Sequence, residues 1–167
     1  IKYEANEDLH HIIQSTLQSV DNSLSMFNPN SVISKINRND SVILDSLFIN
    51  MYKEAIEIST LSHGAFDITV APMVHAWGFG KKIGQRTQTT DINIDSLKQL
   101  VGYNKISLQA NQIIKQDPRI TLDASAIAKG YGCDVVANAL RVKGCKNLLV
   151  DIGGEVVLEG FNQEGEA

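Results

Sequence analysis

Hydrophobic residues recur every three or four positions in three parts of the chain, which is the spacing of an α-helix with one buried face. The first part follows Asn6, a residue type that caps helix starts, and the second follows Asp45. The second helix is predicted to end at Gly64, because glycine accepts the left-handed conformation found just beyond a helix. The third part follows Asp123 and Ser125, both good N-cap types. The periodic apolar positions are Leu9, Ile12, Ile13, Leu17, Val20 and Leu24, then Leu47, Phe48, Met51, Tyr52, Ala55, Ile58 and Leu61, then Ile127, Tyr131, Val135, Val136 and Leu140.

Strand patterns occupy the second half of the chain. Residues 105–108 and 112–115 are predicted to be paired strands joined by a turn at Ala110 and Asn111. Residues 147–152 form an apolar strand that runs into a pair of glycines, which in isolation favours a hairpin turn. Helices and strands together predict the α+β class, with a mixed, mainly antiparallel sheet covered by helices.

Two further segments connect these elements. A polar stretch after Gly80, rich in lysine and glycine, interrupts the apolar pattern for about ten residues, which is long enough to be mobile and to form a lid. A short helix is predicted around Asp95 to Val101, and Gly102 is expected to end it.

Composition limits the possible functions. The 167 residues are 43% apolar and can build one full core, so a single domain is predicted. The net charge is −4 and the 15 Lys and Arg residues are scattered, which argues against a nucleic-acid-binding surface. The apolar stretches are too short to span a bilayer. The chain opens on Ile1 and closes on Gly-Glu-Ala, so we expect both ends to be cut from a longer polypeptide.

The cysteines and histidines do not have metal-ligand spacing. Cys133 and Cys145 are too far apart for a Cys-x-x-Cys pair, and two free, buried thiols are the favoured interpretation. A disulfide between them is not expected. The histidines are predicted to face solvent or to have their hydrogen bonds satisfied; they are His10, His11, His63 and His75.

The densest candidate chemistry lies where a short apolar strand at residues 120–122 is predicted to run into the third helix. Asp123, Ser125 and Lys129 place an acid, a hydroxyl and an ammonium group around the predicted helix start. Backbone N–H groups at a helix start are unsatisfied, so this junction suits an anion or a metal held by carboxylates. The alternative is an ordinary capped junction with a solvated lysine, which is common.

A second dense segment contains Phe66, Trp77 and Phe79, each close to a glycine. Glycines allow close backbone approach to a planar ring, while Asp67 and Thr69 offer polar groups for its edges, so the segment could form one wall of a ligand site. Taken by itself, such a group more often packs in the core, because aromatic side chains bury a large area.

Four ordered segments resemble one family. Residues 27–37 resemble its Ser-x-x-Ser-x-x-Asn stretch, and residues 62–80 its Gly-Ala-Phe-Asp-Pro-Thr-Val run followed by Trp-Gly-Phe-Gly. Residues 122–134 resemble Asp-x-Ser-x-Ile-Ala-Lys-Gly-Tyr-x-x-Asp, and residues 147–155 resemble Leu-Val-x-Ile-Gly-Gly-Glu. By these motifs the chain is similar to the ApbE flavin transferases, also called FAD:protein FMN transferases. The departures from the motifs are Ile68, Ala71 and His75, where proline, glycine and asparagine are usual.

The resemblance implies a reaction on FAD assisted by Mg²⁺. Family members transfer the FMN half of FAD to a threonine or serine hydroxyl of an acceptor flavoprotein subunit, and AMP is released; some members hydrolyse FAD to FMN and AMP. A non-catalytic FAD-binding protein, or an interaction domain whose glycines and aromatic residues are purely structural, remains an alternative.

The resemblance also implies roles for individual residues. Asp123 and Lys129 are expected to contact FAD and to act in catalysis, with Ser125 as a second polar group. The backbone carbonyl of Ala126 is expected to be a ligand of Mg²⁺, a hard cation that accepts any carbonyl oxygen. The remaining expected contacts with the flavin nucleotide are Phe27, Ala65, Phe66 and Asp67.

The resemblance finally implies a larger parent protein. Family members are about twice as long and bilobed, and their second half brings an Asp-x-x-x-Thr metal-binding motif without a counterpart here. Residues 1–167 are therefore expected to be the first part of such a parent and to be inactive alone. The parent is expected in the bacterial periplasm or at the inner membrane, held there only through a lipid anchor.

Overall fold

The computed structural model describes residues 1–79, 93–161 and residue 165. The chain divides into two compact units. The split unit contains residues 1–21 and 126–167, and the continuous unit contains residues 22–125. The lid predicted after Gly80 lies outside the described residues.

The described residues form both helices and strands, and every strand pair there is antiparallel. The α+β prediction is therefore confirmed, without a parallel pair among these residues. The helices are α1 (His10–Leu24), α2 (Val32–Asn37), α3 (Ser46–Leu61), α4 (Ala71–Ala76), α5 (Ile94–Lys98) and α6 (Ala128–Val142). The strands are β1 (Lys2–Tyr3), β2 (Ile106–Gln109), β3 (Gln112–Lys115), β4 (Leu148–Ile152) and β5 (Glu155–Glu159).

The core of the split unit lies between its sheet and its helical segments. The sheet has the strand order β1-β4-β5. Alternation along β4 directs Leu148 and Val150 into this core, as expected for a sheet covered on one face. The other buried members of the cluster are Leu9, Ile13, Cys133, Val136, Ala137, Leu140 and Cys145.

The first helix begins later than the sequence pattern indicated. Asn6 was expected as its cap, but α1 begins at His10, and the carboxylate of Asp8 accepts a hydrogen bond of 2.9 Å from the His10 N–H. The Tyr3 hydroxyl also accepts a 2.9 Å bond from the Leu9 N–H. The Tyr3 hydroxyl and the Asp8 carboxylate together satisfy two N–H groups at the start of the helix.

The second predicted helix is confirmed, with a correction at its end. Asp45 caps α3 by accepting a 2.7 Å hydrogen bond from the Phe48 N–H. The same carboxylate oxygen accepts a 2.8 Å bond from the Ser23 hydroxyl. The helix ends at Leu61 rather than continuing to Gly64. His63 already takes the left-handed conformation, with φ of 52°, and Gly64 follows with φ of 82°. The chain therefore leaves the helix one residue earlier than a glycine-based rule predicts.

The predicted hairpin of the continuous unit is confirmed. Strands β2 and β3 pair antiparallel with Gln109 opposite Gln112. Ala110 and Asn111 both have positive φ, at 45° and 59°, as a tight two-residue turn requires.

Residues 120–122 are not a strand, contrary to the sequence prediction. They have no strand partner among the described residues, although Ile120 and Leu122 are fully buried. The side chain of Asn37 replaces that partner. Its Oδ1 accepts a 2.7 Å bond from the Leu122 N–H, and its Nδ2 donates a 2.8 Å bond to the Leu122 carbonyl. A single amide side chain therefore satisfies backbone groups that a sheet would otherwise satisfy.

The third predicted helix also begins later than expected. Asp123 and Ser125 do not cap it, because α6 begins at Ala128 after Ile127, which makes no side-chain cap. Oδ1 of Asp123 instead accepts a 2.8 Å bond from the Ser125 N–H within a turn before the helix. Lys129 consequently lies in the first turn of α6.

The cysteine prediction is confirmed. Cys133 and Cys145 are free and buried. Burial raises the pKa of both thiols, and the Cys133 thiol donates a 3.0 Å bond to the Glu155 carbonyl. All of the histidines are exposed, as expected. Among the described residues, no helix has the length and apolar character needed to cross a bilayer.

A turn in the continuous unit gives a prediction for acid pH. Side-chain hydrogen bonds from Arg119 lower the pKa of Asp117 to about 2 from the ordinary value of 3.8. Because the folded-state pKa is lowered, the charged carboxylate favours the folded state above pH 3.8, and this contribution is lost as the pH falls through about 2. In R119Q, we expect the Asp117 titration midpoint to move up towards 3.8 in an NMR titration. An unchanged midpoint would show that Arg119 is not the cause.

Candidate functional site

Asp67 has its carboxylate engaged in the scaffold of the continuous unit. Oδ1 accepts bonds of 2.8 Å and 2.6 Å from the N–H and the hydroxyl of Thr69. Oδ2 accepts a 2.7 Å bond from the Tyr103 N–H, and the Thr69 hydroxyl accepts another 2.7 Å bond from the Gly102 N–H. The carboxylate therefore fastens the residue 102–103 loop to the segment that contains the predicted ligand wall.

The same segment contacts the predicted acid Asp123. The Asp123 N–H donates a 2.7 Å hydrogen bond to the Ile68 carbonyl, directly beside Asp67. The Asp123 side chain is half-buried, and its Oδ1 is bonded to the Ser125 N–H. The structure thus brings together two motifs that are far apart in the sequence.

The aromatic residues of the predicted wall are largely on the surface. Trp77 is 58% exposed and Phe79 is 70% exposed, so the core-packing interpretation is wrong for both. Phe66 is half-buried, and Phe27, at 70%, and Ala65 are exposed. The exposure of Trp77 and Phe79 agrees with the ligand-wall interpretation.

Gly78 explains how the chain can turn between two of these rings. Its φ is +83°, in the region that favours glycine, and Trp77 precedes it at the C-terminal end of α4. Gly64 also has a positive φ, +82°, whereas a Cβ atom placed there would make only an ordinary 3.5 Å contact with the Tyr103 ring. The glycines of this motif therefore fix the backbone shape around the aromatic residues.

Lys129 lies beside the glycine pair in the split unit. Its Nζ donates a 3.3 Å hydrogen bond to the Gly153 carbonyl and lies 3.8 Å from Glu155 Oε1. The lysine and glutamate side chains are 54% and 53% exposed, so their ion pair contributes little and the ammonium group stays accessible. The structure therefore brings together the motifs at residues 122–134 and 147–155.

The glycine pair also closes the hairpin between β4 and β5, as expected. Gly153 and Gly154 have φ of 61° and 94°, and the Gly154 N–H donates a 3.0 Å bond to Asp151 Oδ1. A Cβ atom at Gly153 would lie 3.4 Å from Cδ of Lys129. The positive φ values of the turn therefore explain the glycines, because a 3.4 Å contact with a flexible lysine side chain does not by itself exclude a Cβ atom.

The start of α6 adds positive potential next to Lys129. The first backbone N–H groups of a helix carry the positive end of its dipole, and Ile127 cannot cap them with its side chain. An ammonium group within this first turn makes the helix start of the split unit suited to an anion such as a phosphate.

Ala126 is exposed, at the start of the split unit's second chain segment. No group of three or more His, Cys, Asp or Glu residues that could hold a metal occurs among residues 1–79, 93–161 and 165. One carbonyl oxygen falls short of the six ligands that Mg²⁺ requires, so the described residues alone do not fit a complete magnesium site.

A groove elsewhere in the continuous unit contains none of the predicted site residues. It has a volume of about 500 Å³ and lies beside Lys115, whose Nζ donates bonds to the Ile36 carbonyl and to Asn39 Oδ1 at 2.7 Å and 2.9 Å. Burial lowers the pKa of Lys115. These bonds account for the lysine, so the groove adds no chemistry to the predicted site.

Two structural contributions were not found from the sequence. One is the bond pair from Asn37 to Leu122, which spans 85 positions, and the other is the contact of Asp67 with Tyr103. Asn37 belongs to the recognised Ser-x-x-Ser-x-x-Asn stretch, but nothing in one sequence indicates its partner. The sequence therefore marked Asn37 as a motif residue without showing which backbone groups it binds.

Comparison with known proteins identifies a single family. The ApbE family model matches residues 1–167. The FAD:protein FMN transferase of Vibrio cholerae is 34% identical over 156 residues, which are 92% of this chain and 47% of that protein. The protein of the same name from Haemophilus influenzae is 34% identical over 169 residues, which are 96% of this chain and 49% of the relative. The chain therefore spans about half the length of the curated relatives it matches.

Solved structures give the same result for the fold. The flavin transferase ApbE from Vibrio cholerae has a TM-score of 0.89 and 32% identity, covering 98% of this chain and 54% of that chain. The apo form of the Pseudomonas stutzeri flavinyl transferase ApbE has a TM-score of 0.86 and 28% identity, again covering 98% and 54% of the two chains.

Proposed function

Because the chain belongs to the ApbE family, we propose that its residues form part of the FAD site of an FAD:protein FMN transferase. The observation that carries this proposal is the pairing of distant motifs: the Asp123 N–H is bonded to the Ile68 carbonyl, and Lys129 Nζ to the Gly153 carbonyl. The names of the relatives support flavin transfer as the reaction class.

The proposed reaction moves the FMN half of FAD to a threonine or serine hydroxyl of an acceptor protein. The acceptor oxygen forms a bond to the FMN phosphorus, the bond from that phosphorus to the bridging oxygen breaks, and AMP leaves with the bridging oxygen. The hydroxyl proton is released. Such a transfer depends mainly on positioning and on stabilising the charge that develops on the phosphate oxygens.

Lys129 and the start of α6 are proposed to bind the diphosphate of FAD. The ammonium group and the N-terminal backbone N–H groups both favour negative charge, and both are accessible within the split unit. Asp123 is proposed as a second catalytic group, with Ser125 beside it. The proposed flavin contacts are Phe27, Ala65, Phe66 and Asp67; for Asp67 the contact would come from its backbone, because its carboxylate is already engaged.

Magnesium is proposed to be required by the complete enzyme, where it would offset the charge of the diphosphate. The described residues offer it the Ala126 carbonyl and no acidic cluster, so its other ligands would come from elsewhere in an ApbE-family protein. Residues 1–167 by themselves are accordingly proposed to release no AMP. For the complete protein, we propose a bacterial periplasmic or inner-membrane location through a lipid anchor.

Replacing Lys129 tests the proposed diphosphate contact. In a chain completed to the length of the relatives, K129Q is expected to weaken FAD binding about 10- to 100-fold, the range for losing a charged hydrogen bond. The measurement is the FAD-dependent rise in melting temperature, since a ligand stabilises the folded state by mass action.

The matched control is K143Q, because Lys143 is an exposed lysine at the other end of α6. It should leave the FAD-dependent shift unchanged. An FAD-dependent rise in melting temperature that is equal in K129Q and the unmodified protein would refute the diphosphate contact. If FAD raised the melting temperature of none of the three proteins, the proposed FAD binding would be wrong.

A further inference from the structure

The loop between α1 and α2 carries an exposed aromatic ring on a backbone that is held by side-chain hydrogen bonds. Phe27 is 70% exposed, whereas Ser31, which caps α2 after the loop, is fully buried. Ser25 Oγ accepts bonds of 3.3 Å and 3.2 Å from the N–H groups of Phe27 and Asn28. One hydroxyl oxygen therefore holds the peptide groups on both sides of the ring.

Two further hydroxyl groups hold Ser25 itself. The Ser31 hydroxyl donates a 2.7 Å bond to the Ser25 carbonyl, and the Ser34 hydroxyl donates a longer bond, of 3.4 Å, to the same oxygen. Ser31 and Ser34 are both buried, and a hydrogen bond is stronger where the local dielectric constant is low. Ser31 Oγ also accepts a 3.1 Å bond from the Ser34 N–H as the helix cap. The start of α2 and the loop before it are therefore bonded to each other.

Helix α2 connects this loop to the segment that leads to the proposed catalytic acid. Ser31, Ser34 and Asn37 are spaced three residues apart, which places them on one side of the helix. The two serines bond to the loop at the start of α2, and Asn37 bonds to the backbone of Leu122. The Ser-x-x-Ser-x-x-Asn stretch therefore fastens two parts of the continuous unit that both contain predicted site residues.

We propose that Ser25 and Ser31 are positioning residues that hold the Phe27 ring in place for the flavin of FAD. This role rests on the proposed function, in which Phe27 contacts the flavin. Ordering a loop and its side chain at the moment of binding costs part of the binding free energy, and a loop that is already bonded avoids this cost. Neither serine has to touch FAD, because both act through the backbone that carries the ring.

The affinity for FAD tests this role in the chain completed to the length of the relatives. S25A removes the acceptor of the two loop N–H groups, and S31A removes the main donor to the Ser25 carbonyl. We expect each variant to weaken FAD binding about 3- to 10-fold in isothermal titration calorimetry, which corresponds to the cost of ordering one side chain or short loop. S25A keeps the helix cap, so it decides the result if S31A does not fold.

The matched control is S41A, because Ser41 is exposed in the segment before α3. It should leave the affinity for FAD unchanged.

A double-mutant cycle with F27A separates positioning from a general loss of stability. F27A by itself is expected to weaken FAD binding about tenfold, because an aromatic contact is lost. Once the ring is absent, S25A has nothing left to position. The double variant F27A/S25A should therefore bind FAD within about twofold of F27A, whereas independent effects would multiply.

The order of the loop is measured separately, without FAD, by NMR relaxation of the Phe27 amide. We expect an order parameter of about 0.85, typical of rigid backbone, in the unmodified protein, and a fall towards about 0.6 in S25A. An order parameter that is the same in both proteins would overturn the proposal.

The FAD measurements distinguish this proposal from the proposed function. If the unmodified protein binds FAD and S25A binds it equally well, the positioning role is wrong and the proposed function stands. If S25A weakens binding by the same factor with and without the Phe27 ring, the serine does not act through Phe27, and the positioning role is again wrong. If the unmodified protein does not bind FAD, the proposed function is wrong and the positioning role falls with it.

Discussion

Replacing Asn37 with leucine is expected to lower the free energy of unfolding by about 2 to 4 kcal/mol, because each buried backbone group left without a partner costs about 1 to 3 kcal/mol. Asn37 makes both hydrogen bonds to the backbone of Leu122, a fully buried residue. Leucine has a similar size but can neither donate nor accept. The measurement is urea unfolding of the 167-residue chain followed by circular dichroism.

Two further variants define this result. N37D keeps an acceptor for the Leu122 N–H but places a carboxylate beside the Leu122 carbonyl, so it should also destabilise the chain. N50L, on the exposed surface of α3, is the matched control and should change the stability by no more than about 0.5 kcal/mol. Equal stabilities of N37L and N50L would show that the Asn37 bonds contribute nothing.

The consequence for the site follows from the next residue in the chain. Asp123 comes directly after Leu122 and is held by its own bond to the Ile68 carbonyl. When the Asn37 side chain no longer holds Leu122, the backbone of Asp123 keeps its bond to Ile68 but loses the support of its neighbour. Asn37 is therefore a positioning residue in the continuous unit, and it need not touch FAD.

Replacing Asp67 with alanine is expected to have a similar or larger effect, about 3 to 5 kcal/mol. Its carboxylate accepts three hydrogen bonds, from the N–H and hydroxyl of Thr69 and from the N–H of Tyr103, and bonds to a charged group contribute about 1.5 to 3 kcal/mol each without being additive. Thr69 is fully buried, so water cannot readily replace the lost acceptor. Thermal and urea unfolding measure the change.

A graded series distinguishes the hydrogen bonds from simple loss of volume. D67N retains one acceptor oxygen for Thr69 but turns an NH₂ group towards the Tyr103 N–H, so we expect about half the loss seen in D67A. D95A, at an exposed position in α5, should have little effect. A D67N protein as stable as the unmodified chain would contradict the assigned role of Oδ2.

Several elements could be predicted because the pattern and the local chemistry agree. The apolar spacing of α1 and α3 and the turn at Ala110 and Asn111 each identify an element without reference to distant residues. The free thiols of Cys133 and Cys145 followed from their spacing. The glycine pair after β4 gave the hairpin for the same local reason.

The errors arose where a distant residue decides the local structure. Residues 120–122 have a strand-like composition, but their partner is the side chain of Asn37, which leaves no sheet. Asp123 has the chemistry of a helix cap, yet its N–H is bonded to the distant Ile68 carbonyl, its carboxylate accepts the Ser125 N–H in a turn, and α6 begins only at Ala128. Neither contact has a signature in the local sequence.

The candidate site shows the same division. Motif resemblance selected Asp67, Asp123 and Lys129, but it assigned Asp67 to the ligand and could not reveal that its carboxylate holds the Tyr103 loop. Composition alone would have placed Trp77 in the core, although it is mostly exposed. Spacing along the chain finds candidate residues, whereas the partner of each side chain decides what that residue does.

Mass spectrometry of an acceptor peptide tests the central proposal most directly. The chain, completed to the length of its relatives, is incubated with FAD, Mg²⁺ and a threonine-containing peptide. We predict a peptide that gains FMN less one water on the threonine, an equal amount of AMP, and loss of both products in D123A. Release of FMN and AMP with an unmodified peptide, or FAD that stays bound and intact, would contradict FMN transfer.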